Sequence, residues 1–225
     1  AGAVPIQEGW YYFRSMRSES NAAYDDGVKA HWTHGQSWET PESPTAKDAK
    51  YIWKLIAKED GSGYYVQNLD TKRYLGVVHE RGTHVPTTEK AEETYLVYPQ
   101  NKDAFIIEST SLIENPVIGY PGDGSPECTA LHCPGDHDAL VVWDTKSPYS
   151  GWRFFNVSQE EVDAILGTID QFKRNEDLAS LVSDVKAAYK KGFTYESDAT
   201  ADGDFSNHGL LTDVSQLWTN GAEPS

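Results

Sequence analysis

Basic residues are scarce. Lys and Arg number 19 against 35 Asp and Glu, a formal charge of -16, so the chain repels phosphate backbones and anionic headgroups, and nucleic acid is not an expected partner. Long apolar runs are absent. Nothing approaches the roughly 18 to 20 consecutive residues of a membrane helix, and no charged start precedes a short apolar core, so no membrane insertion is expected. Cysteine is nearly missing: Cys128 and Cys133 are the only two. An even pair in a Gly- and Pro-rich turn reads as one local disulfide in an oxidising compartment; the alternative is two free thiols in a cytosolic loop. Catalytic spellings are missing too. There is no Gly-x-Ser-x-Gly, no His-Glu-x-x-His and no phosphate-cradling glycine loop, so no catalytic residue and no cofactor is assigned.

Metal sites fare no better. Asp198, Asp202, Gly203 and Asp204 hint at a calcium loop, but the twelfth position falls on Gly209 where a bidentate Glu is needed. His31 with His34, and Cys128 with His132 and Cys133, are too close and too few for a closed zinc site. What the chain has instead is rings: 7 Trp, 13 Tyr and 7 Phe, the reverse of the aromatic-poor composition of disorder.

The rings recur in a pattern. Gly9-Trp10-Tyr11-Tyr12-Phe13, Gly63-Tyr64-Tyr65-Val66 and Ala104-Phe105-Ile106-Ile107 each place a small residue before β-formers and a polar turn. A second apolar piece follows each: Ala22-Ala23-Tyr24, Tyr74-Leu75-Gly76 and Val117-Ile118-Gly119. Each unit closes on an aromatic strand, at Tyr51 to Leu55, Thr94 to Tyr98 and Trp152 to Asn156, with a shorter stretch between at His31-Trp32, His84-Val85 and Ala130-Leu131. Four strands in three units make twelve, whereas a propeller needs at least four such units. Residues 6–157 therefore resemble a β-trefoil of the ricin-type lectin or fascin-like kind. Gly63 to Gly76 is most similar to the family's repeat start. The Gln-x-Trp that ricin-type lectins carry in each closing strand is absent: Gln36-Ser37-Trp38 and Gln216-Leu217-Trp218 spell it outside those strands.

Composition and period change at Ser158. Ser158-Gln159-Glu160-Glu161 spells a capping box, and apolar positions recur at helical spacing from Val162 to Phe172 and again from Leu178 to Tyr189, around a polar break at Lys173 to Asp177. The expectation is a helical hairpin over 158–192, ending at Gly192, then an irregular acidic linker over 193–225. The last nine residues are similar to the lead-in of discoidin-like domains, which implies a downstream neighbour.

The loops hold what sugar recognition uses: rings for C–H faces, and Asp, Asn, Gln and His for hydroxyls. The first unit is richest, with Asp25, Asp26, Trp32, His34 and Trp38. The trefoil-lectin resemblance places an acidic residue near the second strand and a stacking ring on the third, which Asp25 or Asp26 and Trp32 fill. Trp38, in a loop between Gly35 and Glu39, is the best candidate for an exposed ring. The third unit offers Asp123, His132, Asp136, His137, Asp138 and Trp143. The expected fold is mainly β: a three-unit trefoil with a helical hairpin and irregular tail. The expected function is a non-catalytic carbohydrate-binding or adhesion module of a secreted multidomain bacterial protein, accessory to a glycan-degrading enzyme and placed in the periplasm, at the cell surface or outside the cell. Its partner is a glycan. The alternatives are a structural or protein-interaction trefoil and an accessory fragment of a glycosidase.

Overall fold

The computed structural model describes residues 6–199, with side chains to residue 191. By internal contacts the chain divides into two units, Ala1–Ile169 and Asp170–Ser225.

The first unit is mainly β. Its first repeat comprises β1 (Gly9–Ser15), β2 (Ala23–Asp25), β3 (Ala30–Trp32) and β4 (Ile52–Ala57); the second β5 (Tyr64–Asn68), β6 (Tyr74–Leu75), β7 (Thr87–Thr88) and β8 (Tyr95–Pro99). The third comprises β9 (Phe105–Ser109), the short helix α1 (Thr110–Glu114), β10 (Val117–Ile118), β11 (Glu127–Cys128), β12 (Ala130–His132), β13 (Val141–Trp143) and β14 (Gly151–Val157). Fourteen strands stand where twelve are expected, because Thr129 splits the third stretch into β11 and β12, and Val141–Trp143 adds a strand against β12.

First and closing strands form a closed ring. β1 pairs with β4, β4 with β5, β5 with β8, β8 with β9, β9 with β14, and β14 returns to β1, all antiparallel. A sheet closed in this way leaves no edge open to another chain. Three hairpins hang from it, β2–β3, β6–β7 and β10–β11, one to a repeat, and this is how a β-trefoil is built. One residue of each repeat, Ala30 at the start of β3, Val85 before β7 and Leu140 before β13, closes a cycle of backbone hydrogen bonds: Ala30 N–H donates to Val85 O (3.0 Å), Val85 N–H to Leu140 O (2.9 Å), and Leu140 N–H to Ala30 O (2.9 Å). Each repeat supplies one donor and one acceptor to this cycle, so these three buried residues leave none of their backbone groups unpaired.

The same threefold logic orders the core. Phe13, Val66 and Ile107 from the first strands are fully buried. From the closing strands, Trp53 Nε1 donates to Ala23 O (3.0 Å), Tyr95 Oη to Gly76 O (2.6 Å) and Trp152 Nε1 to Leu131 O (2.9 Å). Each large ring is buried and ties its strand to another segment of its own repeat, which satisfies its polar atom. Gly63 opens the second repeat at φ +151°, where a Cβ would stand 2.9 Å from Tyr95 O, so only glycine fits.

Two expectations are corrected. No disulfide forms: Cys128 and Cys133 are free and buried in the core. The chain between them runs along β11 and β12, and at about 3.3 Å per residue an extended run of that length separates its ends far beyond the ~7 Å Cα limit for a disulfide. Burial pushes the two thiols up to about 11 and about 12. Nor is there a helical hairpin. One helix, α2, runs over Gln159–Ala199. The capping box starts it, with Glu161 N–H donating to Ser158 Oγ (3.1 Å) and Ser158 N–H to Glu161 Oε1 (3.1 Å). The polar break Lys173 to Asp177 contains neither Gly nor Pro, so it interrupts the apolar stripe without interrupting the backbone bonds, and Gly192 is carried within the helix. The linker expectation is thereby corrected for residues 193–199; residues 200–225, with the calcium-loop spelling and the discoidin-like lead-in, lie outside the described residues.

Val162 and Ile165 of the first turns of α2 are buried in a cluster with Trp10, Tyr12, Trp38 and Ile52, which carries the first unit past residue 157. In the second unit Phe172, Leu178, Leu181 and Val185 are exposed. No helix among the described residues is long and apolar enough to cross a membrane.

Candidate functional site

Two polar groupings collect the residues singled out by sequence. The first surrounds the hairpin β2–β3. His31 Nε2 lies 2.5 Å from Asp26 Oδ2, and its Nδ1 lies 3.3 Å from Asp138 Oδ1. Tyr24 stacks on the His31 ring with centroids 5.2 Å apart and 15° between planes. Burial works to raise the Asp26 carboxyl, but hydrogen bonds from the Lys29 and Val28 amides and from His31 outweigh it and hold its pKa below the usual carboxylate range. Lys29 Nζ sits 3.3 Å from His84 Nδ1, and the His84 ring is 5.0 Å from that of His137. Burial first, and Lys29 second, lower the His84 pKa.

These contacts use up the first repeat's candidates. Asp25 is buried and accepts from Thr87 Oγ1 at 2.8 Å and from Thr71 Oγ1, so it ties repeat one to repeat two. Trp32 is only 6 % exposed, with Nε1 donating to His137 O at 2.8 Å. His34 is exposed and its Nε2 reaches Gly135 O at 3.2 Å. Trp38 is the clearest correction. At 9 % exposure it is packed against Tyr12 (5.4 Å), Tyr51 (5.2 Å) and the Arg14 guanidinium (5.4 Å). Its loop is polar, but the ring folds back onto the outer layer that also receives α2. Trp38→Ala is therefore expected to destabilise the protein by about 3 kcal/mol or more through a cavity. A denaturation midpoint unchanged from wild type would contradict that placement.

The second grouping is a concavity of about 360 Å³ between repeats two and three. Val78 to Thr83 form one wall; β10, β12 and β13 with the loop Pro134 to His137 form the other, and Arg17 reaches in from after β1. Trp143 is part-exposed on this wall, 6.1 Å from the His132 ring at 45°. Arg17 donates from Nε to Cys133 O (2.8 Å) and lies over the Tyr149 ring (3.7 Å), while Arg81 lies over Tyr120 (4.7 Å). Neither guanidinium pairs with a carboxylate among the described residues, in a chain with a large acidic excess. His132 is buried on the same wall, and burial first, with Arg17 second, pushes its pKa down to about 4. Glu80, Asp123 and Asp136 border the opening.

Two other depressions of about 410 Å³ are larger, but one holds no ring and the other only Tyr65. The concavity beside Trp143 alone among these combines rings, guanidinium donors and acceptors. Of the sequence-derived sugar candidates, Asp123, His132, Asp136, His137 and Trp143 of the third unit line it, and none from the first unit does. Tyr120, Arg17 and Arg81 were missed, since nothing local marks residues from three repeats as neighbours. Among the described residues no three His, Cys, Asp or Glu side chains gather as a metal site.

No family model and no curated protein matches the sequence. Among solved structures, a mosquitocidal holotoxin is similar over 70% of this chain at 15% identity and a TM-score of 0.51, and the chain covers 17% of that toxin. The Rhizoctonia solani agglutinin aligns with 69% of this chain and 100% of its own, at 14% identity and a TM-score of 0.47. At such identity the likeness to the toxin is one of fold.

Proposed function

We propose that this chain is a non-catalytic carbohydrate-binding module of the trefoil-lectin kind, working within a larger secreted protein, and that its ligand seats in the concavity beside Trp143. The observation that carries this is the joint presence there of a part-exposed indole, guanidinium groups with no carboxylate partner, and acceptors. A pyranose needs a ring for its C–H face and both donors and acceptors for its hydroxyls. Trp143 supplies the first, Arg17 and Arg81 donate, and Asp123 and His132 accept. The toxin neighbour, of which this chain covers a minor part, supports the multidomain setting.

A glycan array probed with the full chain tests this, and uniform silence from folded protein removes it. Trp143→Ala is expected to weaken the best array ligand by about 1 to 3 kcal/mol while lowering the unfolding midpoint less than truncation of a fully buried ring, because the indole is only part-buried against the core. Unchanged affinity would place the site elsewhere. A protein-interaction role is the second reading, favoured by the exposed Phe172, Leu178, Leu181 and Val185 of α2; a partner protein whose binding is lost in Leu181→Asp would support it.

A further inference from the structure

We propose that His132 is a specificity-determining residue of this concavity, whose Nε2 acts as a fixed hydrogen-bond acceptor for a hydroxyl or amide N–H of the sugar stacked on Trp143. The proposal rests on the carbohydrate reading of the concavity; the state of the ring itself does not.

The argument is one of proton counting. Ser150 Oγ lies 2.7 Å from Asp144 O. A carbonyl can only accept, so the single hydroxyl proton of Ser150 is committed to it. The same Oγ lies 2.9 Å from His132 Nδ1. With its proton spent, Oγ can only accept from the ring, so Nδ1 carries the N–H. A neutral imidazole has one such proton, which leaves Nε2 as a bare lone pair. The ring is neutral at physiological pH because burial resists its charging.

The relay is rigid at its far end. Ser150 is fully buried, closes the turn Pro148–Ser150 and donates its own N–H to Ser147 O at 3.1 Å. Nε2, by contrast, has no hydrogen-bond partner among the described residues and is not among the fully enclosed polar atoms that lack one, so it remains open on the side where His132 lines the concavity. The other charged and titratable side chains lining the concavity are Arg17 from beyond β1, Glu80 and Arg81 from the second repeat, and Tyr120, Asp123, Cys128, Asp136 and His137 from the third. None of them hydrogen-bonds Nε2 among the described residues. Such an acceptor, held in one tautomer, discriminates sharply: a ligand with a deoxy or ether position there leaves a buried lone pair unmatched.

Nitrogen-15 histidine spectra of the full chain provide the test. At pH 7 His132 is expected to show a protonated Nδ1 and an imine-like Nε2, with protonation near pH 4. The methyl glycosides of glucose, galactose, mannose and N-acetylglucosamine are then titrated in, followed by monodeoxy forms of any that bind. A binding glycoside should shift the Nε2 resonance, and one deoxy form should bind at least tenfold more weakly. Ser150→Ala, which frees the tautomer, should weaken binding several-fold. A protonated Nε2 in the unliganded protein overturns the relay. Equal affinity for every deoxy form overturns the recognition role. The expected tautomer with no glycoside shifting His132 means that the carbohydrate reading has failed, and the role in recognition with it.

Discussion

Trp152→Ala is expected to cost about 3 to 5 kcal/mol, a large share of the roughly 5 to 15 kcal/mol by which an ordinary protein is stable. The side chain is fully buried in the closing strand β14, whose neighbours in the barrel are β1 and β9. Removing it takes away the ring's packing and leaves Leu131 O without the indole donor at 2.9 Å. Trp152→Phe separates the two effects: it keeps much of the volume and loses the hydrogen bond, with an expected cost of about 1 to 3 kcal/mol. Trp53 and Tyr95 do the same work in the other repeats, against Ala23 O and Gly76 O, so their truncations should rank alongside. Urea titration measures all three. A loss below about 1 kcal/mol for Trp152→Ala would contradict a core built on these rings.

Acid will weaken the fold through His132. Its pKa falls from 6.5 to about 4 in the folded protein, so between those values the unfolded chain holds a proton that the folded chain refuses. Where the unfolded state binds more protons, stability rises with pH. The contribution is therefore complete above pH 6.5, declines as pH falls, and is lost below about pH 4, a total of about 3 kcal/mol. Unfolding midpoints compared at pH 7 and pH 4.5 for wild type and His132→Gln isolate this from the carboxylates, which both proteins share. The variant should lose the smaller amount of stability on acidification; parallel losses would show that His132 charges freely in the folded state.

Both predictions depend on residues whose types were visible in sequence and whose surroundings were not. Trp53 and Trp152 stand in alternating strand patterns, and alternation is a local property, so their inward position was legible. Trp38 was misread because its immediate neighbours are polar, while Tyr12 and Tyr51, which cover it, belong to other segments. Cys128 and Cys133 look close in a stretch of Gly and Pro, yet the strand between them is extended and carries both thiols into the core. The polar break in α2 looked like a turn because apolar periodicity reports which face is buried, and not whether the backbone bends.

Sequence alone determined the threefold repeat, the strands that open and close each unit and the start of α2, because side-chain alternation, small residues at unit entries and a capping box act over a few residues. Tertiary structure alone decided which rings stay free and which polar groups remain unspent. Asp25 is consumed by Thr71 and Thr87 of the next repeat. His132 takes its tautomer from a serine 18 residues further on. Trp143 comes to line one concavity with Arg17 and Arg81 only where the closed barrel brings three repeats together. Recognition chemistry depends on the hydrogen bonds left over after folding, and that remainder exists only once every long-range partner is in place.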